Sequence, residues 1–179
     1  MMSIYYLFWM YVILFGIIGA MRGWAKELLV IFSVVTALAM ILLLEKYIPL
    51  MQNLDKTSSA VMWLRITILG TLVFFGYQTI NFERLAARFG AKASREKLQD
   101  SLFGFVLGAI NGYLIAGSVL YYNHVANYPY PHVLSPAVDP AIAQTVNQMM
   151  TRMPPQLLGE PGIYFAVILI LIFIIVVYI

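Results

Sequence analysis

The sequence predicts an all-α fold, a polytopic membrane helix bundle with five transmembrane helices plus one extracytoplasmic amphipathic helix. Three observations carry this. The chain of 179 residues is 62% hydrophobic, with only 11% of its residues charged, where an ordinary soluble domain carries about 25% charge. Its apolar residues run continuously and do not alternate with period two, which favours helices that satisfy their own backbone within one segment. Its basic residues concentrate in alternate connections, as they do in multi-pass proteins.

A spanning helix needs about 20 mostly apolar residues. The first run, Ile4 to Ala20, has no Lys or Arg before it and exceeds the apolar stretch of a signal peptide, so it reads as a retained helix. The second covers Leu28 to Leu44. The third, Val61 to Ile80, is the most polar, starting near Arg65 and carrying Thr67, Thr71, Gln78 and Thr79. The fourth covers Leu102 to Tyr122. The fifth, Ile163 to Ile179, holds no charge.

The connections differ in character. The first, Met21 to Glu27, is a short charged turn, and Arg22 is expected to reach lipid phosphate or Glu27. The third, Asn81 to Ser101, is the most charged, and its acids interleave with its bases; it reads as a solvated face or anionic-lipid contact, with no nucleic-acid role. Together these two hold Arg22, Lys26, Arg84, Arg88, Lys92, Arg95 and Lys97, against Lys46, Lys56, Arg65 and Arg152 elsewhere. The bias places the first and third connections in the cytoplasm, the N-terminus outside and the C-terminus inside.

The fourth connection, Asn123 to Gly162, holds seven of the eight prolines. Asp139-Pro140 is a helix start, Asp as N-cap and Pro at the first position. Val138, Ile142, Val146, Met149, Met150 and Met153 then recur at helical spacing, and Pro154-Pro155 ends the run. The result is an amphipathic helix lying on the outer membrane surface or on the other helices. Tyr128 and Tyr130 each precede a proline, which predicts extended backbone. Trp24, Trp63, Tyr121, Tyr122 and Tyr164 fall near span ends, as interfacial aromatics do.

No cysteine is present, so disulfides, thiolate nucleophiles and cysteine-ligated metals are excluded. There is no nucleophile–base set, P-loop or zinc motif, and no ionisable group lies at the centre of a span, which argues against a proton relay or ion pump. No catalytic residue, metal or cofactor is expected. His124 is the candidate ligand should a pigment or haem bind, and pigment or lipid contact is the cofactor-like interaction left open. His132 reads as a surface residue.

The sharpest pattern is Gly104, Gly108, Gly112 with Ala116, one face of the fourth span at about one turn per step. Such a row lets another helix approach closely. Asn111 beside it, and Gln78 in the third span, are each expected to find an interhelical hydrogen bond.

These features carry a resemblance. Arg22-Gly23-Trp24-Ala25-Lys26-Glu27 resembles the first-turn signature of the colicin V production protein (CvpA) family, Arg-Gly-aromatic-x-basic-Glu. Asp100 followed by Gly104, Gly108 and Gly112 is similar to that family's fourth-helix pattern. The resemblance covers about residues 5–125. The chain departs from the pattern at Ser101, where a basic residue is usual, and at Asn111, where Arg is frequent. The resemblance implies a CvpA-like membrane domain over 1–125, an extracytoplasmic loop with its amphipathic helix over 126–162, and an added fifth span over 163–179. It also implies a bacterial inner-membrane protein linked to toxin export and envelope maintenance. The residues alone favour a non-catalytic accessory or structural subunit packing against a larger membrane complex, bioenergetic or photosynthetic among the options. Membrane lipids and other membrane subunits are the expected partners.

Overall fold

The computed structural model describes residues 4–78, 94–134 and 139–178. Among these, eight helices follow in order: α1 Ile4–Arg22, α2 Trp24–Tyr47, α3 Pro49–Gln52, α4 Ser59–Tyr77, α5 Ser94–Val125, α6 Pro140–Met150, α7 Pro154–Leu157 and α8 Gly162–Tyr178. The predicted all-α membrane bundle is what the chain forms. Helices α1, α2, α4 and α5 are long and apolar enough to cross a membrane. Helix α8 is entirely apolar but only 17 residues long, about 26 Å at 1.5 Å per residue and at the short end of the spanning range.

Between Leu28 and Leu44 helix α2 is apolar nearly all round, as a helix is that sits in a core or crosses a membrane. Its Val30, Val34, Val35, Ala37 and Leu38 form the main core with Met62 and Leu69 of α4, Leu114 and Tyr122 of α5, and Ile163 of α8. Helix α5 is the second organiser. It packs along α1 on one side and against α2 on another. Although α1 and α2 adjoin in sequence, α1 rests mainly on α5. The two helices joined at Gly23 thus each lean chiefly on others, α1 on α5 and α2 on α4 and α5.

The α1–α5 contact is backbone to backbone. A Cβ on Gly19 would come within 2.7 Å of the Gly108 Cα, and one on Gly112 within 2.9 Å of the Val12 Cα. In the predicted glycine row, Gly104 and Gly108 thus face Gly19 of α1, while Gly112 lies against the backbone of Tyr11 and Val12 and the Cβ of Phe15.

Helix α6 begins as predicted. The Asp139 carboxylate accepts from the Ala141 N–H at 2.9 Å, satisfying one of the free donors of the first turn. Val146 and Met150 are buried, and with Met153 they join Ile4, Phe8, Ala116 and Leu120 in a second core. The amphipathic face is therefore seated on α1 and α5. Val138 lies outside the described residues, as does most of the charged third connection.

Three boundaries differ from expectation. Helix α4 starts at Ser59 because the Ser58 hydroxyl caps it, accepting from Val61 N–H at 3.3 Å, which draws Arg65 into the bundle. Helix α5 extends to Ser94, well before its apolar run. Tyr128 is not extended: Asn127 and Tyr128 adopt φ of 54° and 53°. That left-handed pair, uncommon for a bulky residue, closes the end of α5, with Tyr128 N–H donating to Asn123 O at 3.0 Å. Closing these carbonyls outweighs the preference set by Pro129.

Candidate functional site

Four helix ends meet where α1 turns into α2. Gly23 is the sole residue between them, at φ 88°, a conformation glycine reaches without strain. A Cβ there would also lie 3.0 Å from an Asp100 carboxylate oxygen. Asp100, near the start of α5, accepts from the Trp24 N–H at 3.2 Å and so caps α2 from another helix. The Ser101 hydroxyl donates to Ala20 O at 3.1 Å, covering a free carbonyl at the end of α1.

Arg22 ties the remaining end. Its Nη2 donates to Tyr77 O at 3.2 Å, the last residue of α4, and its guanidinium sits 4.4 Å from the Tyr77 ring centroid. Its Nη1 donates to Glu27 Oε1 at 2.6 Å. Glu27 is one of the two partners foreseen for Arg22.

Glu27 is fully buried. An ionised carboxylate in an apolar interior is tolerated only when paired and hydrogen-bonded. Here the second oxygen accepts from Asn111 Nδ2 at 2.8 Å, and the same amide donates to Glu27 O at 3.0 Å. Glu27 also stands in the first turn of α2, where the helix dipole favours an acid. The expected partner of Asn111 is thus a carboxylate that the sequence reading left in a surface turn. Two polar atoms of this junction, Asn111 Oδ1 and the Tyr77 hydroxyl, are buried without a hydrogen-bond partner among the described residues.

A buried cation braces the opposite end. Arg65, 5% exposed, donates from Nε to Glu45 Oε1 at 2.7 Å and from Nη1 to Lys56 O at 3.2 Å. Its guanidinium carbon lies 5.4 Å from the Tyr122 ring centroid. Near this end Lys46 pairs with Glu160 at 2.5 Å, and Trp63 Nε1 donates to the Tyr130 hydroxyl at 3.1 Å. The connection ends thus sort into two groups, Arg22, Tyr77 and Asp100 at one and Lys46, Glu160, Trp63 and Tyr130 at the other, as alternating spans require.

The other candidates fall apart. Among the described residues His124 accepts from or donates to the Tyr128 hydroxyl alone, 3.0 Å away, and His132 is exposed in a turn. Lys26 takes no part in the junction. Gln78, just past the end of α4, is exposed, and its side chain has no hydrogen bond among the described residues, so the interhelical bond expected of it is not formed there. Among the described residues no three His, Asp or Glu side chains gather as a metal site. Sequence reasoning missed the burial of Glu27 and Arg65. The available signal was an acid and an amide, Glu27 and Asn111, each alone in apolar surroundings that demand a partner.

Buried, paired charge at helix ends within a bundle of apolar helices defines a multi-pass membrane protein held by a polar junction. The chain belongs to the colicin V production protein family, whose model matches residues 5–139. Every residue of the junction lies inside that match. No curated protein matches the chain, and no solved structure does.

Proposed function

We propose that this chain is a non-catalytic factor of the bacterial inner membrane that supports export of a colicin V-type peptide toxin and upkeep of the envelope. The family match over residues 5–139 carries this reading. The Arg22–Glu27–Asn111 junction supports it, since it fixes the relative positions of α1, α2, α4 and α5 and offers no acid, base or nucleophile to a substrate. The end bearing Arg22 and Asp100 faces the cytoplasm, following the excess of basic residues in the first and third connections. The test is export from a toxin-producing strain lacking its own family member. Expression of this chain restores secreted toxin, and Glu27→Ala with Asn111→Ala does so poorly at equal membrane abundance. Unchanged secretion on adding the chain overturns the proposal.

A second reading, an accessory subunit of a larger membrane complex, is favoured by α8. Its Phe165, Leu169 and Val176 are each about 70% exposed, a surface that another subunit would cover. Native mass measurement after mild-detergent extraction decides it: co-purifying subunits support this reading, and a lone monomer rejects it.

A further inference from the structure

On the flank of the bundle away from α2, helices α1 and α5 enclose an open groove of about 370 Å³. Trp9 and Val12 form one wall, and Phe105, Ala109, Ile110 and Tyr113 form the other and the floor. The lining offers almost no hydrogen-bonding surface. From Phe105 to Tyr113 the groove follows α5 for about 12 Å at 1.5 Å per residue, close to the roughly 15 Å depth of one leaflet's hydrocarbon. That is room for a hydrocarbon tail and no polar group.

One end of the groove is marked by charge. The Tyr113 hydroxyl donates to the backbone carbonyl of Arg152, in the bend between α6 and α7. Met153 next to it is buried on α5, with its sulfur against Gly117, so the bend is held in place. The Arg152 side chain is exposed, and its guanidinium has no partner among the described residues. Arg22 and Arg65, by contrast, are both committed to carboxylates, Glu27 and Glu45.

An exposed, uncommitted arginine whose backbone is held against Tyr113, at one end of a tail-sized groove, matches the two parts of one molecule. We propose that this is a binding site for an anionic phospholipid, with one acyl chain between Trp9 and Tyr113 and its phosphate at Arg152. Arginine suits phosphate because its planar fork can donate two parallel hydrogen bonds. The aromatic walls supply stiff apolar surface at little entropic cost. The site would place a lipid against the α6–α7 bend and couple that bend to headgroup charge.

The test uses the full chain in vesicles doped with phosphatidylglycerol or phosphatidylcholine carrying brominated acyl chains, which quench tryptophan on contact. The quenching component lost in Trp9→Phe belongs to the groove. For that component phosphatidylglycerol is expected to act at about fivefold lower mole fraction than phosphatidylcholine, the advantage of one arginine at a charged interface. Arg152→Gln equalises the two lipids, and Arg152→Lys keeps most of the preference. Equal quenching by both lipids in the unaltered chain overturns the proposal, as does a preference that survives Arg152→Gln. A groove that neither lipid reaches also overturns it; disulfide dimers of Trp9→Cys, in a chain with no other cysteine, would then identify a second copy as the occupant.

Discussion

Glu27 and Asn111, 84 residues apart in sequence, are joined at 2.8 Å in the interior of the bundle. One opens α2 and the other sits halfway along α5. The bond is charge-assisted and shielded from water, where such bonds are strong and unmet partners costly. Arg22 completes it from the end of α1, so one carboxylate holds three helices together.

Removing a single member should therefore cost more than an ordinary substitution. Glu27→Gln leaves the Arg22 guanidinium without its counter-charge, and breaking a buried pair typically costs about 3–5 kcal/mol. Asn111→Leu leaves the carboxylate one donor short, for about 1–3 kcal/mol. Unfolding in detergent by a graded denaturant measures both. Values within 0.5 kcal/mol of wild type, roughly the range of surface substitutions, would contradict the assignment.

The glycines separate into two kinds. Gly108→Ala pushes a methyl into the backbone of α1 and should cost about 1–3 kcal/mol through overpacking. A Cβ on Gly70 would meet nothing within 4 Å, so Gly70→Ala should be neutral or gain up to about 1 kcal/mol from helix propensity. Thermal transitions of the two variants, run side by side, check the contrast.

At the turn, Gly23→Ala forces φ 88° and ψ 154° onto a residue with a Cβ, for roughly 1–3 kcal/mol, besides crowding Asp100. Asp100→Ala removes the cap on Trp24 and should cost about 1 kcal/mol. Hydrogen exchange at the first turn of α2 should quicken in both. Protection equal to wild type in Asp100→Ala would show that the cap is idle.

The tether between α2 and α8 should respond to acid. The hydrogen bond from Lys46, with a second from Tyr164, holds the Glu160 carboxyl below its ordinary value. A lowered carboxylate contributes stability above its unfolded value, near 4.3, and loses it as pH falls through the folded value. Spin labels at Leu50→Cys and Phe165→Cys should report one constant distance between about pH 5 and 8, and a broader distribution below about pH 4. Lys46→Gln should abolish that change.

Much of this architecture is legible in the sequence because hydropathy fixes which segments cross the membrane. The four long spans, the Asp139 cap and the Gly104–Gly108–Gly112 face all follow from local spacing. What local spacing does not encode is which helices become neighbours. Nothing near Gly19 says that it answers the α5 row, and nothing near Glu27 says that α5 will cover it. Arg65 falls near the start of the third apolar run, where a charge counts against a span, yet Glu45 and the Lys56 carbonyl hold it inside the bundle. Tyr128 defied the pre-proline rule because the end of α5 needed closing. In each case a tertiary partner decided the outcome.

The most direct test of the polar junction is a double-mutant cycle between Glu27→Gln and Asn111→Leu, read as unfolding free energy of the full chain in detergent. Groups in direct contact couple by about 0.5–3 kcal/mol. The geometry predicts a coupling of about 1 kcal/mol or more, with the double variant less destabilised than the two single losses combined. Strict additivity, within about 0.5 kcal/mol, would mean that Glu27 and Asn111 do not hold the bundle through each other.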